Sequence, residues 1–423
     1  MVALNTNRSK QSCFKLNFLQ RLSRLHFRCI LLGVFVALSL IIYLSVLHAR
    51  SARTWSVETI VHYQDTTKLH RPKPTLLPFP NSPQQTSHDT ISGKQSRRPW
   101  LAAVICAAQD VERRMLIRST WMRLFQDTPF DPRFVVSNPG GVWNETIRYE
   151  NRTFGDMIVL DHIPEDDITA NTIKTLEFYK WLLKSGQKYE FVSKLDTDLW
   201  LNAPAFWDRY LVPRLSDSTG QLTARVNRTV IGQLFYSDSG YNTFAHGSMY
   251  TVTWDMMQLL VSLQERFNVV TGEDAAVGIL MHKGEERANF VNFRGEEKFD
   301  YDDADSRGDG SAYARADTHP TAISHALYGD YPIAIHQLKD KNLWMKVAAC
   351  FTEKGIKPAP TTREPENPPP FRVRWADFLY STGLSQAYIS MFDKIPKELL
   401  RYEKGSWVCD NIWNLGKSAR GFQ

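Results

Sequence analysis

From Trp100 onward, apolar and polar positions along the chain alternate between two rhythms. A continuous apolar run at 101–107 predicts a buried strand, and Asp110 then stands where an N-cap should precede a helix running through 125. Short apolar runs predict further strands at 133–136 and 156–160. A helix is expected over 167–184, because Leu176, Tyr179 and Leu183 fall at i, i+3 and i+7 and Gly186 ends the run. Strands follow at 189–195, 229–235, 249–252 and 331–338, with a helix at 254–267. Strands alternating with helices predict the α/β class.

The pattern before Trp100 is different. Residues 29–47 carry no charged side chain, and as a helix they reach roughly 28 Å, enough for a thin bilayer. The formal net charge of +6 is accounted for upstream, since residues 1–28 hold Arg8, Lys10, Lys15, Arg21, Arg24 and Arg28 and no acid. The rest of the chain is formally neutral, which argues against a nucleic-acid-binding body. A basic tail ahead of an apolar run predicts a cytoplasmic tail (1–28), a retained signal anchor (29–47) and a lumenal remainder. A cleaved signal peptide ending near Ala49-Arg50-Ser51 is the alternative with the same topology for the remainder. Residues 48–97 are polar and, between Arg71 and Pro83, rich in proline, which predicts an extended stem. A body at 98–350 is followed by 351–423, a proline-rich linker with a second proline cluster at 358–370 and then a C-terminal extension, for which packing against that body is the expectation.

Lumenal exposure agrees with Asn-x-Thr acceptors at Asn144, Asn151 and Asn227. Asn7 fits the pattern too, but lies on the cytosolic side of this topology. Of the cysteines, Cys106, Cys350 and Cys409 would face an oxidising compartment. Cys106 sits in an apolar run and reads as a buried thiol, which leaves Cys350 with Cys409 as a candidate bridge.

Two acidic constellations carry candidate chemistry. Asp196-Thr197-Asp198 closes the strand predicted at 189–195, and ligands of open α/β sheets bind at the carboxyl ends of strands, where two such carboxylates can reach a hard cation. The same spacing recurs at Asp300-Tyr301-Asp302 and Asp303-Ala304-Asp305, but no strand pattern precedes these and a solvated loop is expected. A calcium loop starting at Asp303 fails, because Arg307 and Ala314 fall on ligand positions. The second constellation, Glu273-Asp274, opens a helical segment. Asp274 reads either as an N-cap or as a general base.

Several blocks together resemble the family of inverting transferases that contains the β-1,3-galactosyltransferases, related N-acetylglucosaminyltransferases and fringe proteins. Residues 113–121, with Arg113, Arg114, Ile117, Arg118, Thr120 and Trp121, are similar to that family's Arg-Arg-x-x-Ile-Arg-x-Thr-Trp opening. Glu150 with Phe154-Gly155-Asp156 resembles its Glu-x-x-x-Tyr-Gly-Asp segment, and residues 171–175 its Asn-Leu-Thr-Leu-Lys-Thr. His246 to Tyr250 is similar to the strand before the Glu-Asp motif. The likeness covers roughly residues 100–339 in matching order. It departs at Thr197, where the family usually has a third Asp, at Val135 to Asn138 and at Ala170.

The resemblance implies a GT-A type nucleotide-sugar-binding fold, with a Rossmann-like central sheet and flanking helices, preceded by the single transmembrane helix. It also implies a Golgi membrane protein of type II that transfers a hexose from a UDP-sugar to a glycan or glycoprotein with inversion. On that basis Mn²⁺ or another divalent cation is expected on Asp198, with Asp196 at the ribose or metal shell. His336 is a further candidate ligand, its alternative being a buried strand histidine. Asp274 is the expected base and Glu273 the group that orients the acceptor or the helix entrance. Lys194, Arg114 and Arg118 are candidates to face the phosphates, although the arginines have the alternative of pairing with carboxylates across the fold. The donor is open between UDP-galactose, UDP-N-acetylglucosamine and UDP-N-acetylgalactosamine. A non-catalytic lumenal carbohydrate-binding relative is the alternative of another class.

Overall fold

The computed structural model describes residues 98–421, apart from 219, 238–241, 296, 308–309, 315–325, 361–370 and 385–390. The expected tail, anchor and stem all lie outside the described residues. Among the described residues no helix is long and apolar enough to cross a membrane.

The expected α/β class is borne out. In chain order the main elements begin with β1 (Trp100–Ile105), α1 (Val111–Ile117), β2 (Phe130–Asn138), α2 (Gly140–Phe154) and β3 (Met157–Pro164). Next come α3 (Asp167–Thr172), α4 (Lys174–Lys184), β4 (Phe191–Leu195), β5 (Trp200–Leu201), β6 (Thr229–Ser237) and β7 (Asn242–Thr253). They continue with α5 (Trp254–Phe267), α6 (Glu273–Gly284), β8 (Ala288–Asn292), β9 (Lys298–Asp300), β10 (Ala334–His336) and α7 (Lys341–Ala348), and end with β11 (Leu400–Glu403), β12 (Ser406–Cys409) and β13 (Trp413–Gly416).

Ten strands form one sheet in the order β11-β12-β13-β8-β6-β7-β4-β1-β2-β3. Strands β3, β2, β1 and β4 run parallel, β7 is inserted antiparallel between β4 and β6, and β6, β8 and β13 are again parallel. The chain leaves β1 for β2 on one side, while β4 lies on the other. The carboxyl ends of β1 and β4 therefore form a topological switch point, where open α/β sheets leave a crevice for ligands.

The period of two along β1 divides the interior into two cores. Trp100, Ala102 and Val104 face one core with Trp121, Trp200 and Trp344, whereas Leu101 and Ala103 face another built from α4, α5 and α6. The strands that follow the proline-rich segment join the second core, with Trp413 fully buried against Phe290.

Several sequence expectations change in detail. Asp110 occupies the N-cap position of α1 without capping it by its side chain, which instead accepts from Ala107 N at 3.2 Å. The helix expected through 125 is interrupted by a π-helical turn at Arg118–Met122, with Thr120 out of helical geometry. The helix expected over 167–184 is two helices, α3 and α4, broken at Ile173.

The candidate bridge between Cys350 and Cys409 is absent, and both are buried thiols outside any disulfide, as is Cys106. They cannot meet because Cys350 packs into the core with Trp344 and Cys409 into the core with Trp413, on opposite faces of the sheet. Asn144 and Asn151 lie on α2 and Asn227 in a loop; all three are exposed.

Candidate metal centre

Asp196 and Asp198 follow β4 immediately, at the switch point. The chain then enters β5, which pairs antiparallel with β10 (Trp200 opposite Ile335), while β10 pairs parallel with β9 in a register that sets His336 beside Asp300. This small three-stranded sheet brings residues more than a hundred positions apart to one point. Leu338 N donates to Asp198 O at 3.0 Å, and Tyr301 N donates to His336 O at 2.9 Å, so the loop, β10 and β9 are tied by backbone on both sides of the imidazole. Gln337, directly after His336, is held at φ +64°, where the chain turns away.

One oxygen each from Asp196 and Asp198 and one ring nitrogen from His336 lie within 4.8 Å of one another. His336 Nε2 is 3.2 Å from Asp198 Oδ1 and 3.9 Å from Asp196 Oδ2, and its Nδ1 is 2.7 Å from Asp300 Oδ1. Two carboxylates and an imidazole at this separation fit a divalent cation of the manganese or zinc type. Burial raises the Asp198 carboxyl, but hydrogen bonding and charge from His336 and the Lys339 ammonium hold it below the ordinary aspartate value. That keeps it ionised, as a ligand must be.

Lys194 joins this cluster to the second constellation. Its Nζ donates to Asp196 Oδ1 at 2.7 Å, to Gly247 O, and lies 2.8 Å from Glu273 Oε2. Burial opposes its charge, but the Asp196 and Glu273 carboxylates outweigh that and hold it above the ordinary lysine range. Glu273 also accepts from Tyr250 Oη at 2.7 Å. Its pKa is raised, chiefly by burial, with Lys194 and Tyr250 working the other way. Glu273 is thus an internal tie between β4, β7 and α6.

Asp274 has a different position. The N-cap of α6 is Gly272, so Asp274 is not the cap. Its Oδ1 accepts from Ala275 N at 2.9 Å and its Oδ2 from Gly247 N at 3.2 Å. Gly247 permits this approach, since a Cβ there would stand 2.9 Å from Asp274 Oδ2 and 3.2 Å from Asp274 Cβ. The carboxylate faces a cleft of about 440 Å³ whose walls also include Asp196, Lys194, His246, His336 and the β1 end at Cys106 to Ala107. A larger cleft of about 730 Å³ lies over α1, between Arg113, Arg123, Phe154 and Lys341, and contains none of the cluster.

Arg114 and Arg118 are not brought to the cluster. Arg114 is fully buried and forms a two-pronged pair with Glu150 at 2.7 Å, while donating to the carbonyls of Ala107 and Ala108. Arg118 pairs with Asp156 at 2.7 and 2.8 Å and with Glu150 at 2.5 Å. Arg114 and Arg118 with Glu150 and Asp156 are therefore one clamp fastening α1 to α2 and β3, which bears on the site by fixing the β1 end, while Arg113 donates to Leu338 O at 3.0 Å and to Lys339 O, on the chain that follows His336.

The expectation that Asp300 sits in a solvated loop is corrected: it ends a strand and binds His336. Sequence reading also passed over Lys298, which is buried between Gln233 Oε1 (3.1 Å) and His246 Nδ1 (3.0 Å) beside the same cleft. A three-residue strand carries no period to read, so neither residue had a pattern to reveal it.

Residues 112–285 match the sequence profile of the galactosyltransferase family. The β-1,3-galactosyltransferase 1 of Homo sapiens and that of Mus musculus are each 25% identical over 199 residues, 44% of this chain and 60% of the relative. The UDP-GalNAc:β-1,3-N-acetylgalactosaminyltransferase 2 of Danio rerio is 27% identical over 144 residues, 33% of this chain and 29% of the relative. The match thus spans about 60% of the length of the galactosyltransferase relatives. Among solved structures, the galactosyltransferase LgtC with donor and acceptor sugar analogues overlays on 62% of this chain and 98% of its own at 12% identity and a TM-score of 0.33, too loose for residue correspondences. With the clamp, the Asp-x-Asp turn and the Glu-Asp helix all inside the matched segment, the chain carries a glycosyltransferase domain. Residues 112–285 are similar, at low identity, to the galactosyltransferase family.

Proposed function

We propose that this protein is a divalent-cation-dependent, inverting hexosyltransferase of the GT-A type that transfers a sugar from a UDP-sugar to a glycan or glycoprotein. The observation that carries the proposal is the convergence of Asp196, Asp198 and His336 at the β1/β4 switch point, where Asp196 and His336 line one cleft with Asp274. Asp198 and His336, with Asp196, would hold the cation, which supplies Lewis-acid stabilisation to a departing diphosphate.

The chain's own residues supply the rest. Asp274, held from behind by the amides of Gly247 and Ala275, presents its carboxylate to the cleft as the base that takes the acceptor hydroxyl proton. The deprotonating oxygen forms its bond to the anomeric carbon as the bond from that carbon to the diphosphate oxygen breaks. The diphosphate leaves with that electron pair on the opposite face, and configuration inverts. Lys194 keeps Asp196 in place by pairing with it and with Glu273 together. Mn²⁺ as the cation, placement in the Golgi membrane by the segment at 29–47, and a lumenal catalytic domain belong to the same proposal, supported by the charge and hydropathy pattern of the first 47 residues.

The test is UDP release by the full chain, purified in detergent, with Mn²⁺ and a panel of UDP-galactose, UDP-N-acetylgalactosamine and UDP-N-acetylglucosamine. The panel spans the sugars named in the matched relatives and the third one implied by the family resemblance. Turnover of one donor is expected, with Asp198→Ala losing donor binding. Asp274→Ala should retain donor binding and lose transfer by a factor of about 10² or more. A folded protein that bound none of these donors in the presence of Mn²⁺ would refute the assignment.

A further inference from the structure

We infer that Asp300 is a positioning residue for the metal centre: its carboxylate fixes the tautomer and ring plane of His336 so that Nε2 faces Asp196 and Asp198 as a free lone pair. The inference rests on the metal-site reading above and adds to it a residue that lies beyond the segment matching the family profile, which ends at residue 285.

The geometry leaves His336 little choice. Nδ1 is 2.7 Å from Asp300 Oδ1 and Nε2 is 3.2 Å from Asp198 Oδ1, so both nitrogens face carboxylates. Neutral imidazole carries one N–H. If that proton sits on Nδ1 it is donated to Asp300, and Nε2 is left as an acceptor aimed at the centre of the cluster. The reverse tautomer would set two lone pairs against each other at 2.7 Å and point an N–H where a cation would bind. An ionised carboxylate accepts only, and with a cation taking up the Asp198 oxygen the 2.7 Å contact to Asp300 is the one left to accept an N–H, so Asp300 selects the first arrangement. Histidine ligands are commonly held in this way by an outer carboxylate that orients the ring and increases its basicity.

Backbone structure supports the same role. Asp300 and His336 are register partners on the parallel pair β9 and β10, and Tyr301 N, the next amide, donates to His336 O. The carboxylate is therefore presented by a strand rather than a mobile loop. Lys298, two positions earlier on β9, points to His246 and Gln233 and is not a partner of the Asp300 carboxylate in hydrogen bonding, so that carboxylate is directed to the imidazole.

The experiment is Mn²⁺ binding, without donor or acceptor, to the full-length protein and to Asp300→Ala and Asp300→Asn. It is followed by titrating the free-ion EPR signal and by the imidazole nitrogen coupling in the pulsed EPR spectrum of the bound ion. Wild type should bind with a histidine coupling. Asp300→Ala should bind 10- to 100-fold more weakly, with the coupling diminished. Asp300→Asn keeps an acceptor oxygen for Nδ1–H and should lie between the two, which a loss of folding would not produce. Its metal-free melting temperature should stay near that of wild type, so this variant reads the inference even if the alanine variant fails to fold. Equal affinity and equal coupling in a folded Asp300 variant would overturn the positioning role while leaving the metal site standing. Absence of Mn²⁺ binding in wild type would overturn the metal site itself and this inference with it.

Discussion

Two residues beside the cleft make opposite demands on their surroundings. Lys298 is buried and meets only neutral acceptors directly, so burial brings its pKa down from the ordinary 10.5 to about 8. Between those values the unfolded chain binds more protons than the folded one, so stability must rise with pH across this window and fall as pH drops through about 8. The penalty at neutral pH is on the order of 3 kcal/mol. Lys298→Met removes it, and comparison with that variant cancels the titration of every other lysine and tyrosine. Urea unfolding should show wild type gaining about 2 kcal/mol on the variant from pH 7.5 to pH 10; a constant difference would mean that Lys298 is solvated. Gly247 is the second case. Since an added methyl would press on the whole Asp274 arm, Gly247→Ala should lower kcat by roughly 10- to 100-fold through misplacement of the carboxylate. Calorimetric affinity for the donor should not change. Asp274 was legible as a residue, because an acid pair before an apolar helix is a pattern; the need for glycine opposite it was not, because Gly247 and Asp274 are brought together only by packing.

At the scale of elements, the sequence was most informative where a segment has many turns or repeats. Trp254–Phe267 was legible to the residue, since fourteen positions of helical period admit one reading. The segment at 167–184 has the same period throughout, and its break at Ile173 leaves no mark in the pattern. What enforces the break is tertiary: Lys174 is buried with Nζ 2.8 Å from Cys106 O and 3.0 Å from Glu165 Oε1, so α4 must start where that reach is possible. The arginine clamp teaches the converse lesson. Arg114 and Arg118 carry the charge expected of phosphate ligands, yet Glu150 and Asp156, also singled out as motif residues, neutralise them inside the fold. Removing one partner of a buried pair leaves an uncompensated charge, so Glu150→Ala should cost about 3–5 kcal/mol in denaturant unfolding. Donor affinity, measured below the melting temperature, should be unaltered. Loss of donor affinity at unchanged stability would instead return the arginines to the phosphates.

For the molecule as a whole, the question is where the catalytic body ends. The proline cluster after residue 357 has the composition of a linker, and the tail beyond it has no period strong enough to announce strands. The pairing that gives these strands meaning is to β8, more than a hundred residues earlier, and no local pattern encodes it. Once formed, the connection is substantial: Trp413 is fully buried and donates to Thr243 O at 3.2 Å, while Asp410 accepts from Thr243 N and Oγ1 at 3.0 and 2.9 Å and lies 3.1 Å from His282 Nε2. Thr243 belongs to β7, the strand that carries Gly247 at its middle and so supports Asp274. Gly278 of α6 lies close beneath the same residue, where a Cβ would be 2.4 Å from Thr243 O. The tail therefore braces, from the far side, the strand and helix that present the base. Deleting 397–423 should give a chain that is cut rapidly by limited proteolysis in the body as well as at the new end. Trp413→Ala, which leaves the strands in place but empties their core, should cost about 3–5 kcal/mol. If the deletion left a protease-resistant body with an unchanged melting temperature, the tail would be a detachable extension; the buried pairing to Thr243 argues that it is the last third of the sheet's support.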